Sequence, residues 1–149
     1  MAEILRREIA LNCSPAHAFR VFTEQVDLWW PRSHRRDRGA TLIFEPGEAG
    51  RLVERGATGE WTMARITGFD PPARLSLDWF PGSPQAPTHV DVAFNGSETG
   101  TTVTIVHQPL TAGAAEIWPQ RIGQFVVGWD AVLPALRAFI DANAGETEP

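Results

Sequence analysis

Four histidines, His17, His34, His89 and His107, and a single Cys13 are the side chains of this 149-residue chain best suited to proton transfer, metal ligation or nucleophilic attack. Their spacing assembles no motif. There is no His-Glu-x-x-His, no paired cysteine and no short His-x-His run, so no metal site is expected. A Gly-x-Ser-x-Gly elbow, a phosphate-cradling glycine loop and a dinucleotide fingerprint are also missing, and Gly47 and Gly50 only flank a hairpin turn. Covalent and nucleotide chemistry are therefore not indicated, no cofactor is expected and no catalytic residue is assigned. His107 is the histidine of most interest, because its alternation with Val103 and Ile105 turns it inward. It is read first as a hydrogen-bonded core histidine and second as a group that orients a bound hydroxyl or carbonyl. Proton transfer would need a companion acid. Asp78 alternates outward, which leaves Glu54, Glu60 and Asp91 as acids the sequence alone does not place.

A second concentration of chemistry is aromatic. Val26-Asp27-Leu28-Trp29-Trp30-Pro31 sets two indoles side by side, and indoles bury large areas while carrying one N–H that needs a partner. On a helix, neighbours lie about 100° apart, so one indole is expected to face inward and the other to cap a cavity mouth or meet a partner. The inward face expected of the strands is Leu75, Leu77 and Trp79; Val90, Val92 and Phe94; and Val103, Ile105 and His107. With Trp30 from the front of the chain and Phe125, Trp129 and Leu133 from its last segment, Leu77, Trp79, Val92, Phe94, Ile105 and His107 make the expected ligand-binding wall. Apolar walls with a few polar groups are what small-molecule sites present.

The elements that carry these residues follow from periodicity. Ile4 to Leu11 alternates as a half-buried strand, with Arg7 as an exception. Ser14-Pro15 supplies a cap hydroxyl and a first-turn proline for a short helix with Ala18, Phe19 and Phe22 on one stripe. Val26 to Trp30 reads as a second short helix ended by Pro31. Six alternating runs follow: Thr41 to Phe44, Arg51 to Arg55, Trp61 to Phe69, Arg74 to Phe80, Thr88 to Phe94 and Thr101 to His107, parted by turn residues such as Pro81-Gly82 and Asn95-Gly96. Ile122 to Ile140 has apolar residues at helical intervals and predicts one long helix, which Pro134 is expected to bend.

The totals bound the class. The apolar share of 43% and the length suit one domain, expected over residues 1–144 with a loose tail at 145–149. The lone cysteine, the charged start and the lack of a bilayer-length apolar run predict a cytoplasmic protein without a secretory signal or membrane span. A net charge of −5 argues against nucleic acid as a partner, and the cluster Arg32, Arg35, Arg36 and Arg38 is expected to be a solvated loop.

This order predicts an α+β fold: a curved seven-stranded antiparallel sheet wrapped around a long C-terminal helix, with two short helices between the first two strands. With its residues, it resembles the helix-grip superfamily of the birch-pollen allergen and the lipid-transfer START domains. Within that superfamily the chain resembles the bacterial group called activator of Hsp90 ATPase homologue 1-like. The resemblance rests on Ser14-Pro15-Ala16 with Phe22, on Leu28-Trp29-Trp30, on Phe69-Asp70-Pro71-Pro72-Ala73-Arg74-Leu75 running into Trp79, and on Gly128-Trp129 with Val132-Leu133. The group is defined by fold more than by activity. The leading expectation is non-catalytic binding of a small hydrophobic or aromatic molecule in a cavity of several hundred cubic ångströms between sheet and helix, with indole N–H groups fixing its orientation. The resemblance also implies two alternatives, a polyketide cyclase or aromatase using the same cavity, and a chaperone-interacting module; a chaperone or a second copy of the chain would then be the partner.

Overall fold

The two edges of the sheet are strands close together in sequence, and the helices between them must cross from one edge to the other. In a computed structural model describing residues 4–79 and 86–143, the strands are β1 (Leu5–Leu11), β2 (Thr41–Phe44), β3 (Arg51–Gly56), β4 (Gly59–Asp70), β5 (Arg74–Trp79), β6 (Thr88–Ser97) and β7 (Gly100–Pro109). All pair antiparallel in the order β1-β7-β6-β5-β4-β3-β2. The helices α1 (Pro15–Glu24) and α2 (Val26–Trp29) span the gap between edge strands β1 and β2, followed by a short 3₁₀ turn over Arg32–His34. Phe80, the Pro81-Gly82 turn and the tail at 145–149 lie outside the described residues. No helix among the described residues is long and apolar enough to cross a membrane.

Local chemistry accounts for these elements. Ser14 Oγ accepts the His17 amide at the start of α1, where Pro15 needs no donor. Irregular register between Leu52 and Val53, and between Ile66 and Gly68, marks bulges that bend the long strand β4 and its neighbour β3. The sheet curls as a result, and its concave face receives the final helix α3 (Ala112–Ala142). Each expected inward residue of β5, β6 and β7 is buried. Arg7, the exception in β1, reaches from the sheet edge to Asp130 of α3 at 2.9 Å, so a cation at an inward position has an ion-pair partner on the helix.

Helix α3 is longer than the expected 122–140. Thr111 caps it by accepting the Ala114 amide at 3.1 Å, and the helical backbone continues through both Pro119 and Pro134. Each proline deletes one intrahelical hydrogen bond without ending the helix, because the packed apolar face on either side holds the turns in place. The extra turns bring Trp118 into the core, where it is almost fully buried.

The expected solvated arginine loop is corrected at Arg35, which is buried. Its guanidinium pairs with the Asp27 carboxylate at 2.6 Å and also donates to the carbonyls of Ala40, Asp27 and Trp30 at 2.7 to 2.8 Å. A planar fork can satisfy several acceptors at once, so one side chain ties α2 to the strand that follows it. Arg32 donates to the carbonyls of Arg38 and Ala40, and Arg36 lies 4.6 Å over the ring of Trp61.

Candidate functional site

Trp30, Trp79 and Trp129 come from α2's end, β5 and α3, and their rings form a triangle with centroid separations of 6.0, 6.1 and 5.8 Å. Above them opens a cleft of about 230 Å³ between sheet and helix. Met63 and Val132 extend its apolar wall, Phe125 and Gly128 line the helix side, and Arg121, Gln124 and His34 stand as its polar members. A smaller enclosed space of about 10 Å³ lies behind the same indoles against Leu77, Leu75 and Phe22. The continuous cavity of several hundred cubic ångströms is therefore corrected to a half-open cleft backed by a packed interior. Side chains as large as Phe19, Phe22 and Phe94 fill the far end of the fold by edge-on contacts at 5.1 to 5.7 Å.

Of the ten residues expected to form the wall, the structure brings Trp30, Trp79, Phe125 and Trp129 to the cleft. Leu77 sits just behind them. Val92, Phe94, Ile105 and Leu133 are buried in the solid core. His107 is also buried, one layer behind the cleft, with Phe125 4.3 Å away between ring centroids and Trp118 at 5.4 Å.

Both adjacent indoles are buried: Trp29 lies in the core, and Trp30 lines the half-open cleft. Trp29 is the last residue of α2, while Trp30 is extended at φ −64° and ψ 126°, so the helical offset between neighbours does not apply to the pair. Trp29 donates from Nε1 to the Val21 carbonyl at 2.9 Å, and Trp30 to the His34 carbonyl at 3.5 Å. Trp129 donates to His107 Nδ1 at 3.0 Å. These indole N–H groups are thus committed to protein acceptors and are not left to orient a ligand, since a buried donor without a partner is costly.

The hydrogen bonds fix the state of His107. An indole N–H can only donate, so Nδ1 is the acceptor and carries no proton. Nε2 then bears the hydrogen of the neutral ring and donates to Thr88 Oγ1 at 2.7 Å, whose own hydroxyl donates to the Trp79 carbonyl at 2.9 Å. The relay runs from the Trp129 indole to the Trp79 backbone and joins two walls of the cleft. Burial pushes His107 down to about 3, helped by the positive charge of Arg121 and by His89. Both ring nitrogens are occupied and the ring stays neutral at physiological pH, so His107 is a positioning residue for Trp129.

The acids named as partners lie elsewhere. Glu54 is buried on β3 and accepts the Asp37 amide at 2.8 Å. Glu60 pairs with Arg55 at 3.0 Å, and Asp91 accepts from Ser76 and sits 3.2 Å from Arg74 on the outer sheet face. Asp78 faces outward, as its alternation implies, and meets His89 at 2.9 Å. No group of histidine, cysteine and acidic residues among those described could hold a metal.

Arg121, Gln124, Gly128, Val132, Met63 and His34 are cleft residues that sequence reasoning missed. A signal existed on the helix: Arg121, Phe125, Gly128 and Val132 follow at intervals of four, three and four, a single helical stripe. Nothing local marks Met63 or His34, which arrive by way of the sheet and the 3₁₀ turn.

A curled seven-stranded antiparallel sheet gripping a long C-terminal helix is the architecture of the helix-grip proteins. Residues 12–141 match the family model described as "Activator of Hsp90 ATPase homolog 1-like protein", and the chain belongs to that family. No curated protein matches the chain. Solved structures share the fold at low identity. Protein MLL2253 of Mesorhizobium loti is 14% identical with a TM-score of 0.69, over 94% of this chain and 98% of that one. A protein of Rhodobacter sphaeroides is 20% identical with a TM-score of 0.69, over 95% and 94%. DynU16, from the dynemicin biosynthetic locus, is 14% identical with a TM-score of 0.70, over 95% of this chain and 48% of that one.

Proposed function

We propose that the protein binds a small apolar or aromatic molecule in the cleft between sheet and C-terminal helix, without performing chemistry on it. The observation that carries this reading is the indole triangle, whose Trp129 wall is held in place by the buried His107. A rigid, preorganised aromatic surface binds at low entropic cost. The volume of about 230 Å³ sets the scale. An apolar cavity of ~150 Å³ already accepts benzene, so the cleft suits one or two rings rather than a long lipid.

Catalysis of the cyclase type would call for His107 within reach of an acid inside the cleft, whereas His107 is neutral and engaged by Trp129 and Thr88, and no carboxylate among the described residues lines the cleft. A chaperone-directed role would use an exposed patch rather than a cleft; among the described residues Ile4, Leu28, Leu110, Ile117 and Val127 are exposed large apolar side chains, and a pull-down that finds no chaperone would dispose of that role. Native mass spectrometry of the protein purified from its own cells tests the binding reading, with a retained small molecule as the expected result. A thermal-shift screen of one- and two-ring aromatics is the companion test, because a ligand of the native state raises the midpoint. No retained molecule and no shift across such a set would overturn the reading.

A further inference from the structure

The cleft has a charge as well as a shape. The chain carries 18 acidic residues and a net charge of −5, yet no aspartate or glutamate among the described residues lines the cleft, where Arg121 and His34 are the titratable side chains. Arg121 is fixed by donating from one terminal nitrogen to the Ala86 carbonyl at 2.7 Å, with its guanidinium 5.0 Å over the Phe125 ring. No carboxylate pairs with it among the described residues, and the connecting residues 80–85 read Phe-Pro-Gly-Ser-Pro-Gln, without an acid. A guanidinium offers five donors, so one bond to a carbonyl leaves others for a ligand. Burial lowers Arg121 from the ordinary arginine value, which reflects a charge part-way out of water and in need of a counter-charge.

We propose that the ligand is a one- or two-ring aromatic bearing a carboxylate or similar anion, with the ring on the Trp30, Trp79 and Trp129 floor and the anion on Arg121. The inference rests on the small-molecule reading and adds the chemical class of the ligand. The apolar floor supplies burial, and the guanidinium supplies a charge-assisted bond inside a partly desolvated cleft, where such bonds are stronger than in water. The same arginine would discriminate against the neutral amide or ester of an otherwise identical ring.

Calorimetric titration with naphthoate, with naphthamide and with acetate separates the two parts. Naphthoate is expected to bind roughly tenfold or more tightly than naphthamide, with acetate giving no measurable binding. Arg121→Gln should bring naphthoate to the affinity of naphthamide, while Arg121→Lys should keep part of the preference. Should Arg121→Gln fail to fold for loss of its bond to Ala86, salt provides the second measurement: raising ionic strength about tenfold should weaken naphthoate and leave naphthamide unchanged. Equal or tighter binding of naphthamide, or salt-independent binding of naphthoate, overturns the anion and leaves the small-molecule reading intact. Acetate binding as tightly as naphthoate overturns the aromatic part. If neither aromatic binds and none of the one- and two-ring set shifts the melting midpoint, the underlying reading fails with it.

Discussion

Trp129 and His107 form a single buried unit: the indole N–H donates to Nδ1 at 3.0 Å, and the imidazole passes the chain of donors on through Thr88 to the Trp79 carbonyl. The ring therefore has one tautomer, and the Trp129 wall of the cleft has one orientation. The histidine read first as a hydrogen-bonded core residue serves as a bracket in the fold.

Replacing His107 with Phe keeps an aromatic ring and strands the Trp129 N–H. The expected loss is about 1–3 kcal/mol in urea unfolding, the cost of a buried donor left unpaired. Trp129→Phe added to His107→Phe should cost less than the sum of the two single changes, because the pair shares one hydrogen bond. Strict additivity would show that the bond holds nothing.

The same histidine gives stability a pH dependence. Its folded value of about 3 lies below the ordinary 6.5, so the unfolded chain takes up a proton that the folded chain refuses. This contribution is complete above pH 6.5 and is lost as pH falls toward 3. Between pH 7 and pH 5 the loss amounts to about 2 kcal/mol, at about 1.4 kcal/mol per unit. Unfolding curves at both values should show that slope in the parent protein and its absence in His107→Phe, since every other titrating group is common to the two. Parallel slopes would contradict the assignment.

Arg35 should matter more than any surface arginine. Its side chain is 1% exposed, and Arg35→Ala removes the cation paired with the Asp27 carboxylate and the side-chain donor to the Trp30 carbonyl, leaving Ala40 to Arg32 alone. Asp27 is held below the usual carboxylate value: its partial burial opposes this and is outweighed by the Leu42 amide and Arg35. A loss of about 3–5 kcal/mol is expected from breaking the pair, with little rescue by Arg35→Lys, which lacks the fork. A change in the thermal midpoint no larger than that of Arg38→Ala would return the segment to a solvated loop.

Gly128 separates binding from folding. It lines the cleft, and a Cβ placed there would have no neighbour beyond its own helix within 4 Å. Gly128→Ala should raise stability by about 0.5–1 kcal/mol, as expected for glycine in a helix interior. Gly128→Leu should fold as well as the parent and lose aromatic binding by occupying the space. Naphthoate affinity unchanged in Gly128→Leu would move the binding site away from this cleft.

The sequence by itself determined the architecture. Alternation in the strands, the Ser14-Pro15 cap and the apolar stripe of the last segment each arise from neighbours a few residues apart, so local pattern suffices to read them. Among the ten wall residues it named are Trp79, Phe125 and Trp129, which line the cleft, because large apolar side chains at inward positions have nowhere else to go. Tertiary structure decided the rest. Helix α3 extends across Pro119 because packing holds turns that proline disfavours, and Trp30 turns inward because the chain leaves the helix at that residue. His107 became a bracket rather than a cleft group because Trp129 and Thr88, distant in sequence, close on both of its nitrogens. That no carboxylate among the described residues pairs with Arg121 was likewise invisible, since whether a charge meets an opposite one depends on what the fold places beside it. Periodicity records which face a residue takes, and only the assembled fold decides which partners it meets there.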